Sequence, residues 1–190
     1  MEDLKHLARY LKGKPSLALR YDQQAKPTCI RVSVDSDHAA DRLTRKSTTG
    51  MVQRLGLHPI KATSNLQTAI SLNVSEAEFY ALVHGAANGL GLQAYLRDLG
   101  IELPLVVESD SSSARAFSSR RGLGKQRHVQ TRYLWIQDRV AKNDFSVVKV
   151  PTSENVSDIL TKATSAVLLG KHMNTLGFRE VTRSDLQKRV

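Results

Sequence analysis

TCIRVSVD, residues 28–35, is the stretch on which our interpretation of the chain rests. Apolar and polar side chains alternate along it, with Ile30, Val32 and Val34 on one face. A period of two is typical of a strand that buries one face and exposes the other. We therefore predict a strand that ends on a carboxylate, Asp35.

The remaining elements are predicted from the same kinds of pattern. They are a helix at 4–11, strands at 47–55 and 57–63, a helix at 75–99, a strand at 103–109, helices at 111–117 and 128–142, a strand at 145–150, and helices at 152–162 and 166–176. Gly85, Gly89 and Gly91 fall inside the long helix, where each costs roughly 1 kcal/mol relative to alanine. We expect close packing at these glycines, or a locally weak helix.

The order of the elements predicts an α/β fold. The first three strands form an antiparallel meander, and the two later strands join the sheet in parallel through helical crossovers. We expect a five-stranded mixed sheet flanked by helices, with Asp35 and Asp110 at the carboxyl ends of parallel strands, where such sheets carry their sites. We expect the domain to span residues 28–163, between an N-terminal helix and linker (1–27) and a C-terminal helix and tail (164–190).

The charge balance favours a polyanionic partner. The chain has 28 Lys and Arg against 18 Asp and Glu, a formal net charge of +10, although a basic surface is also common without such a partner. No apolar run approaches the roughly 20 residues of a membrane span, so nucleic acid is preferred over a membrane. The single Cys29 excludes an internal disulfide. These features, with a polar N-terminus, predict an intracellular protein, cytoplasmic or nuclear.

Four acids stand out against this basic background: Asp35, Glu78, Asp110 and Asp158. Hard divalent cations need several carboxylate oxygens at one point, and the combination with a basic surface predicts a metal-dependent nuclease. Three of the acids also have simpler interpretations. Glu78 could complete a capping box with Ser75, Asp110 could cap the next helix, and Asp158 could be an exposed surface acid.

Seven stretches together resemble the ribonuclease H domain of copia-type retrotransposon Pol polyproteins. In chain order they are RYLKG (9–13), VDSD (34–37), TRKSTTG (44–50), SEAEFYAL (75–82), ESD (108–110), RHVQTRY (127–133) and VPTSENVSDILTK (150–162). Each stretch alone is a weak signal, but their order and their spread over nearly the whole chain make the resemblance specific.

The resemblance implies a ribonuclease H fold and an endonuclease that cuts the RNA strand of RNA–DNA hybrids with two Mg²⁺ ions, or Mn²⁺ in their place. Asp35 would bridge both ions, Glu78 and Asp110 would hold one of them, and Asp158 would hold the other. The segment before Asp35 would be the tail that follows a reverse transcriptase in the polyprotein, so a reverse transcriptase is a possible partner.

The basic stretch 120–128 is the best candidate for binding substrate phosphates, because its glycines allow backbone approach and its side chains supply positive charge. A solvated loop is the alternative interpretation. The candidate substrate-binding residues are Ser36, Arg120, Arg121, Lys125, Arg127, His128 and Arg132. Ser36 is included because it follows the first acid and could contact the 2′-hydroxyl that distinguishes RNA from DNA.

The chain also departs from the family pattern. His38 replaces a tryptophan, residues 60–63 replace a Trp-x-Ser-Lys segment, Ser111 and Ser112 replace Asn-Gln, and residues 127–130 alter a Lys-His-Ile-Asp run. None of these changes removes one of the four acids. They leave two alternatives open: a non-catalytic relic that still binds nucleic acid, or an integrase-like nuclease of the same architecture. The start at Met1, close before the domain, leads us to expect a fragment or degraded copy of an element.

Overall fold

The computed structural model describes residues 2–124 and 128–181. Its helices and strands are, in chain order, α1 (Glu2–Gly13), β1 (Leu17–Leu19), β2 (Ile30–Asp37), β3 (Thr48–Leu55), β4 (His58–Leu66), α2 (Val74–Asp98), β5 (Leu105–Ser109), α3 (Ser112–Ser119), α4 (Trp135–Ala141), β6 (Ser146–Lys149), α5 (Ala166–Thr175) and β7 (Phe178–Glu180). Short 3₁₀ helices lie at Thr131–Tyr133, Thr152–Glu154 and Val156–Leu160.

A five-stranded mixed sheet forms the centre of the molecule, with the strand order β4-β3-β2-β5-β6. The β2–β3 and β3–β4 pairs are antiparallel, whereas the β2–β5 and β5–β6 pairs are parallel. The predicted fold class is therefore confirmed. Because β2 is the middle strand, the end that carries Asp35 lies beside both the antiparallel and the parallel half of the sheet.

The long helix α2 packs across one face of the sheet, and two of its glycines allow the close approach. A Cβ atom on Gly85 would lie 2.3 Å from Val34 Cγ1, and one on Gly89 would lie 2.6 Å from Leu105 Cδ1. Gly91 is exposed and has open space around it. The close packing that we expected holds for the first two glycines, and the helix continues without a break to Asp98.

The opposite face of the sheet carries a smaller apolar cluster. Val52 of β3, Val156 of the third 3₁₀ helix and Leu176 at the end of α5 are all buried in it. This cluster attaches the C-terminal part of the chain to the sheet, so that the 3₁₀ helix Val156–Leu160 lies against β2 and β3.

Two segments that we predicted as continuous helices fold differently in the structure. Residues 128–142 begin as a turn and a 3₁₀ helix, and α4 starts only at Trp135, because His128 and Tyr133 contact side chains of α2 instead of continuing one helical face. Residues 152–162 form two 3₁₀ helices separated by Asn155, whose backbone is extended. The side chain of Asn155 binds the backbone of β2, which interrupts the helical path.

The two ends of the described chain meet in a small separate sheet. Strand β1 pairs antiparallel with β7, and Leu17 lies opposite Glu180. The domain boundaries at residues 27 and 163 stay a prediction. Within the described part of the chain, no helix combines the length and the apolarity that crossing a bilayer requires.

Substituting the glycines of α2 tests the packing of this helix. We expect Gly85→Ala to lower the free energy of unfolding by about 1–3 kcal/mol, because the branched Val34 side chain leaves no room for a methyl group. Gly91→Ala is the matched control. It should raise the free energy of unfolding by up to about 1 kcal/mol, because alanine favours the helix. Urea denaturation measures both, and equal effects of the two substitutions would contradict the packing described here.

Candidate active site

Four acidic side chains come from four different elements. Asp35 lies near the end of β2, and Asp110 directly follows β5, the parallel neighbour of β2. Glu78 lies in the second turn of α2, and Asp158 lies in the 3₁₀ helix Val156–Leu160. The carboxyl ends of two adjacent parallel strands therefore supply two of the acids, and elements on either side of that edge supply the others.

Three of these acids converge on one point. One carboxylate oxygen from each of Asp35, Asp110 and Asp158 lies within 4.8 Å of the other two, which is close enough for a single cation to contact all three. The side chains of Asp35 and Asp158 are almost fully buried, and Asp110 is partly exposed. The group is therefore open to solvent on the side of Asp110.

Glu78 faces the same group from α2. Its side chain is buried, and its Oε1 atom accepts a hydrogen bond of 3.3 Å from the backbone N–H of Ser36. Its Oε2 atom is buried without a hydrogen-bond partner. Burial, with the nearby charges of Asp35 and Asp110, raises the pKa of Glu78 to about 8. A buried carboxylate oxygen without a partner, beside a cluster of acids, fits a divalent cation, which would supply the missing ligand contact.

Asp35 has an environment of the same kind. Burial raises the pKa of its carboxyl group to about 6, although a hydrogen bond from Thr161 and the charge of Lys162 act in the opposite direction. Burial disfavours the ionised form of this carboxyl group, and a bound cation would stabilise that form. The donor set of hard oxygen atoms therefore fits Mg²⁺ or Mn²⁺.

The simpler interpretations of three acids do not agree with the structure. The N-cap of α2 is Asn73, whose side chain accepts a hydrogen bond of 3.0 Å from the backbone N–H of Glu76, so Glu78 takes no part in the cap. The N-cap of α3 is Ser111, not Asp110. Asp158 is 2% exposed and is not a surface acid.

A glycine and an asparagine hold the segment that carries Asp158. Asn155 is fully buried, and its Nδ2 atom donates a hydrogen bond of 2.9 Å to the carbonyl oxygen of Val34. Gly50 lies opposite Asp35 in the β2–β3 pair. A Cβ atom on Gly50 would lie 2.8 Å from the carbonyl oxygen of Ser157. The absence of a side chain at residue 50 therefore lets the 3₁₀ helix lie directly on the sheet beside Asp35.

Three further residues contact the acids, and sequence reasoning assigned none of them a role at the acidic site. Thr152 donates a hydrogen bond of 2.7 Å to Asp110 Oδ2, and Thr161 donates one to Asp35 Oδ2. The Nζ atom of Lys162 lies 3.1 Å from Asp158 Oδ1 and 3.6 Å from Asp35 Oδ2. All three belong to the stretch 150–162 that carried the family resemblance, so their position in that stretch was the available signal.

Glu108 lies close to Asp110 in the chain but does not belong to the group. Its carboxylate forms ion pairs of 2.7 Å with Arg31 and 2.8 Å with Arg54, and Ser33 donates a further hydrogen bond to it. These partners satisfy the charge of Glu108. Among the residues that the structure describes, in contrast, Lys162 is the one cation that forms ion pairs with the four candidate acids.

The candidate substrate-binding residues lie in different settings. Ser36 is buried next to Asp35, and its hydroxyl oxygen has no hydrogen-bond partner. Arg120 lies over the ring of Phe117 and donates to the carbonyl oxygen of Leu123, and Arg121 is exposed. Lys125 and Arg127 lie outside the described residues.

The other two candidates lie beside α2. The Nε2 atom of His128 is 2.7 Å from Glu76 Oε2, and Arg132 lies over the ring of Tyr133. The ring of Tyr133 in turn lies 4.4 Å, centroid to centroid, from the ring of Tyr80 in α2. The hydrogen bond between His128 and Glu76 and the ring contact connect this end of the basic stretch to the first turns of the helix that carries Glu78.

Comparison with solved structures identifies the class of fold. LC11-RNase H1, isolated from compost by a metagenomic approach, superimposes with a TM-score of 0.50 and 16% identity, over 70% of this chain and 92% of that chain. This likeness shows the fold alone: the chain has the fold of ribonuclease H. No family model matches the sequence.

Sequence relatives identify the group within that class. The chain is 31% identical over 163 residues to the retrovirus-related Pol polyprotein from transposon TNT 1-94 of Nicotiana tabacum. The aligned region covers 85% of this chain and 12% of the polyprotein. It is 26% identical over 187 residues to the retrovirus-related Pol polyprotein from transposon RE1 of Arabidopsis thaliana. Here the aligned region covers 97% of this chain and 13% of the polyprotein. The resemblance is confirmed: the chain is related to copia-type Pol polyproteins over most of its length, and it spans about an eighth of theirs.

Gly50→Ala tests whether the close contact at residue 50 positions Asp158. We expect it to weaken Mn²⁺ binding by at least about tenfold, because a displaced 3₁₀ helix moves Asp158 away from Asp35, and to lower the free energy of unfolding by about 1–3 kcal/mol. Isothermal titration calorimetry and urea denaturation measure the two effects.

Gly170→Ala is the matched control, because Gly170 is an exposed helical glycine with no atom near its missing Cβ. It should leave Mn²⁺ binding unchanged. If Gly50→Ala bound Mn²⁺ as tightly as the wild type, the close contact at residue 50 would have no part in forming the site.

Proposed function

We propose that this chain is a ribonuclease H: an endonuclease that hydrolyses the RNA strand of RNA–DNA hybrids with two Mg²⁺ or Mn²⁺ ions. The observation that carries the proposal is the convergence of Asp35, Asp110 and Asp158 within 4.8 Å, with the unpartnered carboxylate oxygen of Glu78 facing them. The ribonuclease H fold supports it, because Asp35, near the end of β2, and Asp110, directly after β5, lie at the carboxyl ends of two parallel strands.

The four acids would hold the metal ions. When bound, two divalent ions would lower the pKa of the attacking water and neutralise charge on the phosphate that the water attacks, while the 3′ oxygen of the RNA strand leaves. The carboxylates of Asp35 and Asp110 both lie beside that of Asp158 and both interact with that of Glu78. In this proposal Asp35 is the acid that contacts both ions. The hydroxyl groups of Thr152 and Thr161 orient Asp110 and Asp35 by hydrogen bonds.

Substrate would approach from the side of Asp110, where the acidic group is exposed. The formal net charge of +10 favours binding to a nucleic acid of any sequence. In this proposal Ser36 contacts the nucleic acid beside the metal ions. The positive surface that binds the phosphates is supplied by the other candidates: Arg120, Arg121, Lys125, Arg127, His128 and Arg132. Because the relatives are Pol polyproteins, a reverse transcriptase is the partner that we propose.

Two of the family departures have structural roles that do not involve the four acidic side chains. The Nε2 atom of His38 lies 3.1 Å from the carbonyl oxygen of Ser71, and Ser111 caps α3. Neither change takes a ligand from the proposed metal site. These departures therefore do not favour a catalytically inactive relic over an active enzyme.

Cleavage of a labelled RNA–DNA hybrid tests the proposed activity. We expect the wild type to cut the RNA strand in Mg²⁺ or Mn²⁺ at low salt, and Asp35→Asn and Asp110→Asn each to lower the rate by at least about a thousandfold, because each removes a charged ligand. Removal of the metal with a chelator should stop the reaction reversibly.

Asp98→Asn is the matched control, because Asp98 is an exposed acid at the far end of α2. This variant should cut at the wild-type rate. Binding of the hybrid without cleavage in either metal would refute the proposed catalytic activity and favour a non-catalytic relic that binds nucleic acid. Cleavage of duplex DNA together with a dispensable Asp158 would favour the integrase-like alternative.

A further inference from the structure

Lys162 places a positive charge among the proposed metal ligands. Its Nζ atom lies 3.1 Å from Asp158 Oδ1 and 3.6 Å from Asp35 Oδ2. It follows Asp158 by four residues, and its side chain is 43% exposed, whereas those of the two aspartates are 3% exposed or less. The ammonium group therefore reaches the two buried acids from solvent.

No other cation in the described part of the chain forms an ion pair with any of the four acids. The remaining basic groups with ion pairs contact other carboxylates, as Arg31 and Arg54 contact Glu108. Lys162 therefore balances one charge of a group that carries up to four.

A metal ion and this ammonium group compete for the same carboxylate oxygens. A Mg²⁺ ion binds oxygen ligands at about 2.0–2.1 Å and requires near-octahedral positions around it. An ammonium group bound to the same two aspartates blocks some of these positions and adds charge repulsion. The lysine side chain is long and flexible, so it can leave the site without moving the backbone.

We propose that Lys162 is an internal counter-ion that a divalent metal displaces when it binds to Asp35 and Asp158. Without the metal, the lysine reduces the repulsion between the two acids and holds the 3₁₀ helix Val156–Leu160 on the sheet. It thereby raises the metal concentration at which the site fills. This inference rests on the proposed metal site and goes beyond it, because it assigns a role to a residue that is not a ligand.

Mn²⁺ titration of Lys162→Met tests the competition. Methionine keeps the length of the side chain and removes the charge. We expect this variant to bind Mn²⁺ at least about fivefold more tightly than the wild type, a typical lower limit for coupling between two binding events. We also expect the unfolding midpoint of the metal-free variant to be about 2–4 °C lower. Calorimetry and thermal unfolding in a chelator measure the two effects.

Two further variants serve as controls. Lys142→Met makes the same charge change at an exposed residue after α4, and it should bind Mn²⁺ as the wild type does. Lys162→Arg keeps the charge and should lie closer to the wild type than Lys162→Met in both measurements, which separates the effect of charge from that of packing.

The outcomes separate this inference from the proposed function. If the wild type shows no saturable Mn²⁺ binding, the metal site itself is refuted. If the wild type binds Mn²⁺ but Lys162→Met binds it equally or more weakly, the metal site stands and the displacement of Lys162 is refuted.

Discussion

The structure depends on holding acidic side chains together at one end of the sheet against their mutual repulsion. Two like charges about 4 Å apart repel by about 4 kcal/mol at an effective dielectric constant of 20. The carboxylates of Asp35, Asp110 and Asp158 approach within 4.8 Å, and Glu78 faces them with a pKa raised to about 8. Such a group is stable near neutral pH only when protons, Lys162 or metal ions balance its charge.

Two segments that carry acids pack closely against the sheet, and a wider separation at either contact would move the acids apart. Gly85 and Gly89 allow α2, which carries Glu78, to lie against β2 and β5. Gly50 and Asn155 allow the segment that carries Asp158 to lie on the other side of β2. Acids from both faces of the sheet can therefore reach the same edge. These close contacts and the buried hydrogen bond of Asn155 hold the charged groups near one another.

The sequence was sufficient to predict the sheet, because the signals for it lie within each strand and in the order of strands and helices along the chain. The alternation at Ile30, Val32 and Val34 marks a strand with one buried face, and the order of strands and helices predicts which strands are parallel. The positions of Asp35 and Asp110 at strand ends follow from the same reasoning. These predictions need the pattern within each element and the order of the elements, but not the contacts of any particular side chain.

The surroundings of Asp158 could not be predicted in this way. Asn155 interrupts a predicted helix because its side chain binds Val34, a residue far away in the chain. The cap at Asn73 instead of Ser75 likewise depends on how the segment before α2 turns. The roles of Gly50 and Lys162 are visible only once two separate segments are placed side by side.

Diffraction from crystals soaked in Mn²⁺ tests the central claim most directly. Anomalous scattering locates Mn²⁺ without reference to the protein atoms. We expect two peaks about 3.5–4 Å apart, with Asp35 contacting both and with Glu78, Asp110 and Asp158 contacting one or the other. Peaks elsewhere on the surface, or none at a saturating concentration of Mn²⁺, would show that these acids do not form a two-metal site.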